Sequence, residues 1–197
     1  MSVLLLRLAG PMQSWGVQSR FRVRDTGLEP SKSGVIGLCC AALGRSRESP
    51  IADLAALRLA VRADQEGAMA RDYHTAQNIL RASGGPPKET EPSTRYYLAD
   101  AKFLVGLEGD VGLLREVHVA LRDPHWPLCL GRKAFVPGEP VWLCDGLLPE
   151  ADLAQALAAY PWLGHDPRRR PERVRVVWED PDGAEVRPDQ PVSFAER

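Results

Sequence analysis

Ser31-Lys32-Ser33-Gly34 sets two hydroxyls and an ammonium where the apolar run Val35-Ile36-Gly37-Leu38 begins. With Ser31 or Ser33 as N-cap and Gly44 as the stop, residues 33–43 read as a helix. Its first turn would offer free backbone N–H groups, hydroxyls and a cation, a combination that suits phosphate. Upstream, Val3–Leu8 reads as a buried strand that empties into Gly10-Pro11-Met12-Gln13-Ser14-Trp15-Gly16. Between loop and helix, Arg20, Arg22 and Arg24 alternate with Phe21 and Val23. In an extended chain that spacing aligns three guanidiniums, as a phosphate track or as a solvated edge strand. Lys32 has two readings as well, an anion contact or a solvated lysine beside a simple cap. A nucleotide P-loop is excluded, because G-x-x-x-x-G-K-[ST] is absent.

Asp72-Tyr73-His74-Thr75 offers an aromatic ring and an imidazole of the kind that stack on single-stranded RNA. Together with Lys102, Tyr73 and His74 could instead form the acid/base set of a metal-independent ribonuclease. Gly131-Arg132-Lys133 is a further cationic corner, and Arg168-Arg169-Arg170 with Arg173 is either another or a solvated cluster. No G-x-S-x-G, H-x-x-x-H or H-E-x-x-H occurs, so triad and metal hydrolysis find no support. The cysteines (Cys39, Cys40, Cys129, Cys144) form no C-x-x-C, which argues against a zinc site or disulfide framework. No cofactor or metal is expected.

The charge is uneven. Residues 1–47 hold seven Lys/Arg against two acidic residues, a net of +5, while the other 150 hold 18 against 24, a net of −6. A chain of this kind can turn one basic face to nucleic acid and its other faces to proteins. No apolar run approaches a membrane span, and Val3–Leu8 is too short for a signal-peptide core. A cytoplasmic location is expected.

The elements that must position these groups follow from periodicity. Pro50–Leu57 reads as a short helix and Arg58–Asp64 as a strand. Met69–Gln77 reads as a strand, 81–94 as a mobile loop, and Arg95–Leu107 as a returning strand, so the two flanks could pair as a hairpin. Val111–Leu121 is an amphipathic helix, and Leu128–Leu143 ends in an extended run. The order β-α-β-hairpin-β-α-β is the ferredoxin-like split βαβ order, an α+β fold. In the tail, Pro149–Tyr160 reads as a helix and Arg173–Glu179 as a strand, with a partner strand after Pro181-Asp182-Gly183.

Residues 6–16, Pro30-Ser31-Lys32-Ser33-Gly34-Val35-Ile36-Gly37-Leu38, Arg71-Asp72-Tyr73-His74-Thr75, 97–103 and Leu130-Gly131-Arg132-Lys133 occur in this order. Together they resemble the CasD family of type I-E CRISPR Cascade subunits, within the RAMP superfamily of CRISPR RNA-binding proteins. The resemblance implies a ferredoxin-like (RRM-like) RAMP domain over residues 1–145. It also implies a β-hairpin thumb inserted at about 70–99 and a small C-terminal α/β region over 146–197. It implies a non-catalytic subunit that holds the 5′ handle of the CRISPR RNA. Its neighbours would be the backbone subunit CasC and the large subunit CasA, with target DNA met indirectly and no membrane contact. The implied RNA-binding residues are Gln13, Ser14, Trp15 and Gly16 in the loop, with Arg20, Arg22, Lys32 and Ser33 on phosphates. Tyr73 and His74 would serve bases or sugar, and Arg132 and Lys133 the handle backbone. The competing function is a repeat-cleaving endoribonuclease built on Tyr73, His74 and Lys102.

Overall fold

Strand β1 (Ser2–Ala9) lies inside a sheet and is covered on both faces, which is why its sequence is almost continuously apolar. Leu4, Leu6 and Leu8 enter one core, and Val3 and Leu5 enter a second on the opposite face. The computed structural model describes residues 1–17, 22–164 and 166–195; Arg20, Phe21 and His165 fall outside them. Among the described residues it is a mixed α+β structure with two sheets and four α-helices.

The main sheet adds β4 (Arg58–Gln65), β7 (Lys102–Gly109), β8 (Trp142–Leu148) and β9 (Arg175–Trp178) in the order β8-β1-β7-β4-β9. Every pairing in it is antiparallel. Helices α1 (Lys32–Leu43) and α3 (Val111–Arg122) lie over one face; α2 is the short Ala52–Ala55. Ser31 caps α1, its Oγ accepting from the Gly34 N–H at 3.2 Å, and Gly44 closes the helix in the left-handed region at φ 72°. Asp110 caps α3, whose stripe Leu114, Val117 and Leu121 is buried. The first core gathers these side chains with Phe103, Val105 and Leu107 of β7.

The second core lies under α4 (Leu153–Ala159), where Leu153, Ala156 and Leu157 meet Val3, Leu5, Ala60 and Leu104. Arg62 and Asp64 fasten this layer to β4. Their side chains are 6% and 0% exposed, and Arg62 Nε donates to Asp64 Oδ1 at 2.6 Å. Arg62 also donates to the carbonyls of Leu157, Tyr160 and Pro161, while Asp64 Oδ2 accepts the Leu163 N–H at 2.8 Å. Each charge of the pair is met, as burial of an ion pair demands.

A second sheet stands beside the first. Strand β5 (Ala68–Ile79) and β6 (Lys88–Ala99) form a long hairpin, with β2 (Met12–Gln13) and β3 (Val23–Arg24) on the other edge of β6. Four expectations need correction. The loop between the hairpin arms is 80–87, because the polar run 88–94 is drawn into β6 by its ladder to β5; composition does not register cross-strand pairing. Arg95–Leu107 is two strands, broken at Asp100, which turns at φ 56°. Helix α4 starts at Leu153 behind its N-cap Asp152 rather than at Pro149. Among the described residues, no strand follows Pro181-Asp182-Gly183.

Candidate nucleic-acid interface

The loop after β1 folds inward. Gln13 is fully buried and donates from Nε2 to the carbonyls of Leu8 (3.1 Å) and Ala101 (2.8 Å), while its Oε1 accepts from Trp15 Nε1 at 3.2 Å. The Trp15 ring presses on α1 so closely that a Cβ on Gly34 would lie 2.8 Å from Cε3. Ser14 is 6% exposed, its Oγ donating to the carbonyls of Asp25 and Tyr96. Gln13, Ser14 and Trp15 therefore turn their side-chain polar atoms inward, where they brace strand ends. Gly16 is exposed.

The start of α1 is correct as a helix but is not open to phosphate. Asp189, from the C-terminal tail, accepts from the backbone N–H groups of Lys32 and Ser33 and from Ser33 Oγ. Lys32 is 7% exposed, with Nζ 2.9 Å from the Glu179 carboxylate. The physical logic of the sequence reading holds, since an anion does sit at the positive end of the helix. The anion belongs to the chain itself. Nearby, Glu29 is 7% exposed between Arg175, at 2.5 Å, and Arg187.

The hairpin foot is different. Strand β3 runs parallel to β6 with Arg24 opposite Arg95, and Arg95 lies opposite Asp72 of β5. Residues in register share a face, so Arg24, Arg95 and Asp72 form one row. Arg132 closes over it from the loop after α3. Its Nη2 donates to the carbonyls of Arg24 (3.2 Å) and Asp25 (3.4 Å), and its guanidinium lies 5.5 Å from the Phe135 ring centroid. The Phe135 ring in turn lies 5.8 Å from that of Tyr97. Burial, followed by the charges of Arg95 and Arg24, pushes the Arg132 pKa down, while Asp25 and Asp72 oppose the shift. Among the described residues, no ion pair ties up Arg24, Arg95 or Arg132.

Gly131 fixes this corner. Its φ is +89°, and a Cβ there would lie 1.7 Å from the Ser14 carbonyl oxygen. Only glycine lets the loop approach so closely. Lys133 is exposed beside it, and Arg22 is exposed but paired with Glu91 at 3.0 Å. Arg20 lies outside the described residues. Only strand pairing brings Arg95 opposite Arg24, so no local pattern in the sequence marks it.

The nuclease constellation is not assembled. Tyr73 and His74 are consecutive on β5, so their side chains leave opposite faces of the hairpin. Tyr73 is 72% exposed, and His74 Nδ1 lies 3.7 Å from Asp72 Oδ2. Lys102 is on the main sheet and holds Glu139 at 3.0 Å. Tyr73 follows Asp72 on β5, one register position from the row of Arg24, Arg95 and Asp72.

Fold and site together define a mixed α+β protein that carries a long exposed hairpin and an arginine corner at its foot. The chain belongs to the CRISPR-associated protein (Cas_Cas5) family, whose model matches residues 3–197. It is 34% identical over 181 residues to the CRISPR system Cascade subunit CasD of Escherichia coli (strain K12), covering 84% of this chain and 80% of that protein. Among solved structures, one described as the crystal structure of a Cas protein superposes with a TM-score of 0.79 at 46% identity. It covers 98% of this chain and 88% of its own. A chain of a CRISPR RNA-guided surveillance complex superposes at 0.66 with 40% identity, covering 71% of this chain and 61% of that one. Among the described residues, no helix is long and apolar enough to cross a membrane.

Proposed function

We propose that this chain is a non-catalytic CRISPR RNA-binding subunit of a type I-E Cascade, holding the 5′ handle of the guide and capping the backbone in antiviral defence. The observation that carries this is the arginine corner: Arg24, Arg95 and Arg132 converge at the foot of a hairpin, without carboxylate ion pairs among the described residues. Guanidiniums so placed can take phosphates bidentately, and Lys133 extends the track. The 1–145 unit serves as a ferredoxin-like RAMP domain, with the β5–β6 hairpin as its thumb and 146–197 as the small C-terminal region. Tyr73, exposed on one face, supplies a stacking surface, and His74 on the other can reach the sugar or a phosphate. CasC and CasA are its protein neighbours, and the complex carries it to target DNA in the cytoplasm.

The kinship with a Cascade subunit supports the assembly role. The separation of Tyr73, His74 and Lys102 supports the non-catalytic reading, since general acid and base must both reach one phosphodiester. The test is incubation with end-labelled repeat RNA in EDTA, read on native and denaturing gels. A handle-specific shift of intact RNA is expected. A discrete cut that His74→Ala abolishes would overturn the reading.

A further inference from the structure

The two faces of the main sheet are covered unequally. Helices α1 and α3 span one face, whereas among the described residues α4 is the one α-helix on the other, packed against β7, β1 and β4 with Tyr160 and Leu163 beside it. Past α4 the sheet continues to β9, whose outer edge pairs with nothing among the described residues. Val176 is 40% exposed and Trp178 52% exposed on the strip of β9 that borders α4. Between strip and helix runs a groove of about 730 Å³, with Val174, Val176, Trp178, Ala154, Ala158 and Trp162 among its lining. The ion pair of Arg62 and Asp64 forms its floor. A sheet face ordinarily buries its apolar strip under a helix, and a tryptophan half in water beside a groove marks a docking surface.

The rim tells what kind of helix fits. Arg170 lines one end of the groove beside Glu172, and Arg168, Arg169 and Arg173 are exposed in the same segment, against Asp166 and Glu172. The side chains of Arg168 and Arg169 are 91% and 87% exposed. Arg168 reaches Asp166 at 3.1 Å and Arg169 at 4.0 Å, so one carboxylate is shared by two guanidiniums. The flank that α4 offers, Ala154 and Ala158 one turn apart, has short side chains, so a second helix can lie close beside it.

We propose that this groove seats an amphipathic helix of a neighbouring protein subunit. Its apolar face would cover Val176 and Trp178, and its acidic residues would meet Arg170 and the exposed arginines beside it in the chain, Arg168, Arg169 and Arg173. The proposal rests on the assignment of the chain to a multi-subunit assembly and names the surface that assembly would use. The groove is separate from the RNA corner, which lies on the second sheet.

The probes are purified CasA and CasC from the same system, each titrated against the full chain, with handle RNA titrated in parallel. Two variants are compared with the wild type: Trp178→Ala, and the reversal Arg168→Glu/Arg169→Glu/Arg173→Glu, whose exposed positions leave the fold intact. The expected result is that both variants weaken binding of one subunit by about tenfold or more. Thermal melting of the reversal variant and affinity for handle RNA would stay at wild-type values. Unchanged subunit binding in the reversal variant overturns the proposal. Loss of RNA affinity in that variant, with subunit binding kept, makes the rim a nucleic-acid track and overturns it too. Self-association of the wild type that Trp178→Ala abolishes makes the occupant a second copy, which equally overturns the proposal. If the wild type binds handle RNA but neither subunit, the groove proposal fails alone; if it binds neither RNA nor subunit, the assignment of function fails with it.

Discussion

The molecule has two cationic corners, one at the start of α1 and one at the hairpin foot, and they meet opposite fates. At the start of α1, Lys32 and Ser33 face a carboxylate from each of two tail positions, Glu179 and Asp189. At the hairpin foot, Arg24, Arg95 and Arg132 face one another, and burial, then the charges of Arg95 and Arg24, push the Arg132 pKa down. The first corner has been neutralised by folding. The second keeps its charge for something else. A cluster of like charges costs stability unless a partner relieves it, so the open corner is where a polyanion gains most.

The largest effect is expected from charge removal at the open corner. Arg24→Ala/Arg132→Ala should weaken RNA binding about tenfold or more at physiological salt and lower the salt slope by roughly one per lost phosphate contact. Lys32→Ala should leave affinity and slope unchanged, because its ammonium already serves Glu179. Titrations across a salt series read both. Equal losses at the two corners would mean that folding has neutralised neither.

A smaller effect is expected from Asp189→Ala. It strips the carboxylate from two backbone N–H groups and the Ser33 hydroxyl and should cost about 1–3 kcal/mol in denaturant unfolding. Sulfate should then raise the melting temperature of the variant more than that of the wild type, since the reopened helix start accepts an anion. An equal response would mean that the tail does not fill an anion site.

The smallest effect belongs to a pair outside both corners. Arg45 donates to Asp53 at 2.7 and 2.6 Å, and this hydrogen bonding holds the Asp53 carboxyl below its ordinary value. A depressed carboxyl pKa contributes stability above the unfolded pKa, and that contribution is lost as pH falls through the folded pKa. Asp53→Asn should therefore cost about 1 kcal/mol at neutral pH, as the Asp53 side chain is 45% exposed and the pair is screened by solvent. The difference from wild type should vanish in acid below the carboxylate range. A cost that persists there would point to packing instead.

Much of the fold was legible because it rests on local rules. The apolar run of β1, the cap and stop of α1 at Ser31 and Gly44, and the stripe of α3 are each carried by residues within a few positions of one another. The hairpin was legible only in part, because β6 holds Glu89, Glu91 and Pro92 in strand geometry through its ladder with β5. The candidate site was legible as chemistry but not as place. Ser31–Gly34 does bind an anion, Gln13 and Trp15 do use their polar atoms, and Arg132 does join a basic cluster.

Periodicity, caps and charge counts were enough to establish an α+β chain, the starts of its main helices and a basic N-terminal part. None of these properties needs knowledge of distant neighbours. Which positive groups remain available was settled by long-range packing alone. Asp189 lies more than a hundred and fifty positions beyond Ser33, and Arg95 some seventy beyond Arg24. Whether a cation is neutralised or left open depends on what the folded chain brings within a few ångströms of it, and Coulomb energy follows that distance rather than separation along the chain.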